Sequence, residues 1–391
     1  MRRAQHAGMD SHTRVAGLAL GILVLATVRG VGTSPAGSAA AAGMARAGSP
    51  IVLRLTPAPN RSTSPADRLA PTAGPRYPYH SRAFTQFVAD SYRGKRGSPD
   101  EFYRWMERTY HASRVRYPGK DRLGLEELLA WKRQDLGRVT DPAKRAKEEI
   151  RFASWLHKMV KATIPHFSLD RGFEFFNVVR YGERQCFLQG VLIAAMLQSV
   201  GADAGVVMVY RNIQGGEINN GHALALLKLP NGRDIMVDAS EDRPFPLHRG
   251  LFVRAAGGYR YADPLFEKRS ATIGAYRLAG RGARLPTAQA LTLDTAFIRS
   301  QFYYYRGERA KGGPRALRPS REGLEEAARQ LAASVRLCPR NPLAVYMLGR
   351  AYRIEGRARE ARRLFEDAYR LYARSGWVPR GPSECAAAPR G

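Results

Sequence analysis

Residues 186–239 read CFLQGVLIAAMLQSVGADAGVVMVYRNIQGGEINNGHALALLKLPNGRDIMVDA, and this stretch decides the fold. Residues 186–200 are apolar at most positions and long enough for a helix, which Gly201 ends. Residues 206–210, 222–229 and 234–239 are shorter apolar runs of strand length. Pro230-Asn231-Gly232 between the last two is a hairpin signal. A helix followed by antiparallel strands is an α+β pattern, not the βαβ alternation of a parallel sheet. The loop length has a consequence for chemistry. In a strict two-residue Asn231-Gly232 turn, His222 faces Glu241 and Asp238 points to the other side of the sheet. An odd-length loop or a one-residue bulge sets His222 and Asp238 on one face; otherwise Glu241 or Asp242 is the better partner for the ring.

Upstream, residues 81–165 predict helices. Phe84, Phe87, Val88 and Tyr92 fall at helical spacing. Ser98-Pro99-Asp100-Glu101 is a helix start, followed by Phe102, Trp105, Met106 and Tyr110 on one side. Leu125, Leu128, Leu129 and Trp131 mark another helix. Asp141-Pro142 starts a further one through Ile150, Phe152, Trp155, Leu156 and Met159 to a stop near Pro165. These stripes read as core, not as a cofactor box. Residues 81–165 and 166–285 together form one domain. Residues 41–80, rich in Ala, Pro, Ser, Thr and Arg, predict a flexible linker. At the amino terminus, Arg2, Arg3, His6 and Arg14 precede a 14-residue apolar run over 15–28, and Ser38-Ala39-Ala40 precedes Ala41. A bilayer-crossing helix needs about 20 apolar residues, so 1–40 reads as a cleavable secretory signal, with an uncleaved anchor as the alternative. Either places the protein outside the cytoplasm.

The chain has 391 residues, enough for two or three domains, and its 44 % hydrophobic content excludes wholesale disorder. Three cysteines exclude a disulfide framework. The formal charge is +29; residues 1–40 hold only four arginines and one aspartate, so the mature chain stays strongly basic. An anionic surface is therefore a candidate partner. No aromatic-basic motif predicts a specific nucleic-acid partner.

Over residues 286–375, Leu348, Gly349, Tyr352, Gly356, Ala361, Phe365 and Ala368 fall on the spacing of a tetratricopeptide repeat. The preceding unit is degenerate: Ala327, Leu331 and Pro339 match, and its first helix is residues 295–306 with a long insertion after it. Such a pair leans on the neighbouring domain and offers a surface to a protein partner. Residues 376–391 predict a flexible tail. Cys338 and Cys385 are either free or bridged.

Cys186 opens its helix, where the positive end of the dipole favours a thiolate. His222 opens one strand and Asp238 closes the next. Thiolate, imidazole and carboxylate form a nucleophilic triad: attack, proton shuttle, tautomer control. A backbone amide at the start of the Cys186 helix is the natural oxyanion donor, and Gln185 is a candidate second donor. His80, His111, His157, His166 and His248 show no metal-ligand spacing, and no phosphate-cradling loop occurs, so neither metal nor cofactor is predicted.

Residues 167–240 resemble the transglutaminase-like cysteine enzyme superfamily, with its cut-down papain-type core. The carriers are Gly201-Ala202-Asp203-Ala204 before the 206–210 strand, Gly221-His222-Ala223, and Val237-Asp238. The resemblance implies Cys186 as nucleophile, His222 as base and then acid, and Asp238 as orienter, acting on amide bonds of proteins or peptides. It departs at Leu224, where many members have an aromatic residue, at Arg184, where many have Gly, and at Ala239, where Pro is frequent. None of these removes a triad group. The alternatives are a non-catalytic adaptor using core and repeats for binding, and an acyltransferase of the arylamine N-acetyltransferase kind, which an exported chain would leave without an acyl-coenzyme A donor.

Overall fold

Residues 74–387 are described in the computed structural model. The expected signal and the linker as far as residue 73 lie outside these residues. The end of the expected linker is packed. Tyr77 and Tyr79 are buried, and the Tyr77 amide donates to Gln198 Oε1 at 2.6 Å. Composition hides this, because two tyrosines and one long-range hydrogen bond suffice to dock a proline-rich segment.

Helices begin where side-chain oxygens satisfy free backbone amides. In α1 (Arg82–Tyr92), Ser81 accepts the Phe84 amide at 3.3 Å. Before α2 (Asp100–Ala112), Ser98 Oγ accepts the Asp100 amide at 3.2 Å, with Asp100 and Glu101 in the first turn. After α3 (Leu125–Gly137), Asp141 caps α4 (Pro142–Thr163), with Pro142 in its first turn. The aromatic stripes meet as core: Phe84 and Phe102 pack edge-on against Phe175, with centroids 5.5 and 4.9 Å away. A short parallel pair, β1 (His166–Phe167) and β2 (Glu183–Arg184), brackets α5 (Phe175–Tyr181) and leads into α6 (Cys186–Ser199).

The sheet comprises β3 (Asp203–Arg211), β4 (Glu217–Lys228), β5 (Asp234–Val237), β6 (Gly250–Ala255), β7 (Gly258–Phe266), β8 (Thr272–Leu278) and β9 (Arg284–Pro286). Its order is β5-β4-β3-β6-β7-β8-β9, all pairs antiparallel, and β5 also pairs with β8, so the sheet closes on itself. Closure removes the free edges that β5 and β8 would otherwise expose. Val207, Val209, Leu224, Leu226, Leu251 and Val253, every second residue of three adjacent strands, form one core cluster with Met236 and Tyr276. The α+β class is as expected. Strands β6 to β9 go beyond the expected three, because Gly257, Gly258 and Pro264 break their apolar alternation.

Helix α6 is buried from Cys186 to Gln198, packed against β3 and β4 on one side and α3 and α4 on another. Gly190 permits this approach: a Cβ there would lie 3.2 Å from the Leu224 carbonyl carbon.

The carboxy-terminal helices pair antiparallel: α7 (Thr295–Glu308) with α8 (Arg321–Leu337), and α9 (Pro342–Ile354) with α10 (Ala358–Ser375). A Cβ on Gly349 would meet the Phe365 ring at 2.8 Å. Cys338 and Cys385 are both free. The expected flexible tail instead carries α11 (Arg380–Ala387). Ahead of it, Trp377 packs against Tyr210 and Tyr261 with centroids 5.1 and 5.0 Å away and donates to Glu217. One aromatic anchor outweighs a Gly/Pro-rich composition.

Replacing Gly190 with Val forces α6 off β4. Urea titration is expected to show a loss of about 1–3 kcal/mol. Gly137→Ala, where the added carbon meets nothing within 4 Å, is expected to stay within about 1 kcal/mol of the parent.

Candidate active site

The three expected side chains come from three elements and meet at one point. Gly182, at φ +64°, ends α5 and turns the chain into β2, where Ser168 donates its amide to the Arg184 carbonyl at 2.9 Å. Gln185 continues extended at φ −131°, and Cys186 then opens α6. Arg184 is buried. Its Nη1 donates to the Ile164 carbonyl at the end of α4, and its Nε donates to Gln189 Oε1 at 3.0 Å. This ties the head of α6 to the end of α4.

The hairpin has the odd-length loop. Leu229 and Arg233 pair through a 2.7 Å hydrogen bond, Gly232 sits at φ +78°, and Lys228 faces Asp234. That register puts Ala225 opposite Val237. One residue further, Asp238 falls opposite Leu224, two positions from His222 and on its face. His222 itself pairs with Val209. Asp238, not Glu241 or Asp242, bonds the ring.

His222 Nε2 and Asp238 Oδ2 are 2.5 Å apart. The Cys186 side chain lies near enough to the ring to raise its pKa. Burial disfavours a charged imidazole, but the Asp238 carboxylate, the hydrogen bond to it and the nearby Cys186 side chain outweigh it, holding the His222 pKa well above 6.5. Burial would also raise Asp238. The His222 charge, hydrogen bonds from both histidines and the Ser240 amide at 2.8 Å overcome it, and the carboxyl stays well below the usual carboxylate range. Asp238 and Cys186 are 1 % and 2 % exposed, and the His222 side chain 17 %, so the ring is the most exposed of the three.

Sequence reasoning missed His248. It is buried, and its Nε2 stands 3.1 Å from the same Asp238 Oδ2. With Nε2 as the donor, its Nδ1 is a buried acceptor without a partner. Ten residues beyond Asp238 in a loop, His248 carries no periodic signal. Gln189 was also missed: it links Arg184 to Ser240 Oγ, and the Ser240 amide bonds Asp238. Gln185 is buried, and its carboxamide oxygen meets no donor.

Against the expectation of no metal site, the fold gathers one candidate group among the described residues. The ligating atoms of His222, Asp238 and His248 lie within 4.8 Å of one another. The two ring nitrogens and the one carboxylate oxygen already satisfy each other by hydrogen bonding, which accounts for the cluster by itself.

The signs of the two shifts set a pH window. His222, with its raised folded pKa, stabilises fully below its unfolded pKa of about 6.5, and this is lost as pH rises through the folded value. Asp238, with its depressed one, stabilises fully above its unfolded pKa of about 3.9, and this is lost as pH falls through the folded value. The melting-temperature gap between the parent and Asp238→Asn is therefore expected to be widest between about pH 4 and 6.5 and to narrow on either side. A gap that does not vary with pH would contradict the charged pair.

In comparison with known proteins, no family model matches the chain and no curated protein matches it in sequence.

Proposed function

We propose that this protein is an exported thiol enzyme of transglutaminase-like type, acting on amide bonds of proteins or peptides through a thioester on Cys186. The His222–Asp238 hydrogen bond, with the Cys186 side chain near enough to raise the ring's pKa, carries this reading. The sulfur attacks the amide carbonyl while His222 holds the thiol proton, and His222 then gives that proton to the leaving amine. Asp238 fixes the ring's tautomer and balances its charge. The first N–H groups of α6, which have no intrahelical acceptor, face the developing oxyanion. Water or a second amine releases the acyl group. Substrate would be a protein or peptide, with the helical hairpins from α7 to α10, read as tetratricopeptide-like, as the surface for a protein partner. The basic surface suits an anionic cell envelope. No helix among the described residues is long and apolar enough to cross a membrane; export rests on residues 1–40.

Incubation with an activated acyl ester, followed by mass spectrometry, is expected to place an acyl group on Cys186 of the parent and none on Cys186→Ala. His222→Ala is expected to slow acylation about 10²–10⁴-fold. Folded protein without an adduct would leave a binding adaptor. Hydrolysis that survives Cys186→Ala but not a chelator would instead assign the His222–Asp238–His248 cluster as a metal centre.

A further inference from the structure

Helix α7 opens the carboxy-terminal helical region, yet one face of it is seated on the head of α6. Phe302 and Tyr305 pack on Phe187, the residue after Cys186, with centroids 5.0 and 5.7 Å away. Tyr305 also stacks on Phe173 at 5.5 Å and 28°. Ion pairs fix α7 against the segment between β1 and α5: Arg309 Nη1 bonds Asp170 at 2.9 Å, and Arg306 holds Glu174 through two contacts of 2.5 and 2.9 Å. Behind it, Asn341 Nδ2 donates to Ser300 Oγ and Gln301 Oε1. The ring of Tyr305 is thus held against Phe187 and Phe173, on a helix that is itself pinned.

Its hydroxyl is not. Tyr305 is 3 % exposed, and its oxygen has no hydrogen-bond partner. The Gln301 carboxamide, one turn earlier, lies near enough to lower the phenol pKa, but the two make no hydrogen bond of full geometry, and Gln301 Nε2 also lacks an acceptor. Burial foremost, then the charge of Cys186, holds the phenol well above its ordinary pKa, so it keeps its proton. A buried donor with nothing to donate to is costly, and native folds rarely keep one without a use.

We propose that Tyr305 is a catalytic residue whose O–H donates to the oxyanion formed when Cys186 attacks a substrate carbonyl. The assignment rests on the thiol-enzyme reading above. In the step, the sulfur–carbon bond forms and the carbonyl π pair moves onto oxygen, where the Tyr305 O–H and the α6 amides meet it. The pair returns as the carbon–nitrogen bond breaks, and the amine leaves with the proton from His222. Tyr305 keeps its own proton throughout, and no redox partner is needed. The helical region then completes the active site as well as offering a surface to partners.

Tyr305→Phe keeps the ring contacts and removes only the hydroxyl. Two rates on the full chain separate the roles: acylation of Cys186 by an ester, which forms an oxyanion, and alkylation by iodoacetamide, which forms none. The variant is expected to lose about 10²–10³-fold in acylation and to alkylate within twofold of the parent. Its melting temperature should not fall, since the hydroxyl bonds nothing. Unchanged acylation overturns the assignment, as does an equal loss in both rates, which would place Tyr305 behind the sulfur. An unfolded variant contradicts the free hydroxyl and overturns it too. A parent that alkylates but never acylates defeats the thiol-enzyme reading, and this assignment with it.

Discussion

A carboxylate that is 1 % exposed has to be neutralised where it lies, and Asp238 meets this demand with imidazoles. Its Oδ2 takes His222 at 2.5 Å and His248 at 3.1 Å, and its Oδ1 takes the Ser240 amide. Removing water from a charge costs several kcal/mol unless hydrogen bonds replace it. The proton on His222 is therefore a structural necessity as much as a chemical resource. Cys186 meets a ring whose tautomer and charge the carboxylate has already set.

Two backbone features deliver that geometry. The three-residue loop 230–232 fixes the parity that keeps Asp238 on the His222 side of the sheet. The bare backbone at Gly190 lets α6 lie close on β4, so its first residue reaches the ring. Arg184 then spans the end of α4 and the first turn of α6, and through Gln189 and Ser240 the same chain of bonds reaches Asp238. A bulky side chain two residues before the cysteine thus serves to hold α6 in place.

Much of this was legible in the residues. Apolar spacing located α1 to α4, and Asp141-Pro142 marked the start of α4 to the residue, because caps and prolines act within one turn. The continuous apolar run after Cys186 signalled a helix, which the structure shows buried from Cys186 to Gln198. Cys186 and Asp238 could be named because each stands at the end of a recognisable element. His222, expected to open its strand, lies inside β4, whose start at Glu217 was hidden because residues 217–221 carry no apolar run. His248 could not be named, since it reaches Asp238 from an irregular loop where no periodicity operates. Tyr305 escaped for another reason: on α7 it reads as one more aromatic of a helical seam, and only tertiary packing shows its ring on Phe187 at the head of α6. The docking of Tyr77 and Trp377 was hidden likewise, because a single aromatic in a Pro/Gly-rich segment leaves no pattern.

The coupling between sulfur, ring and carboxylate is the central claim, and a nitrogen-15 NMR titration of His222 reads it most directly. In the parent, both ring nitrogens should remain protonated well above pH 6.5, and in Cys186→Ala the transition should move down, because the sulfur's contribution is gone. A ring that titrates near 6.5 in both proteins would contradict the account.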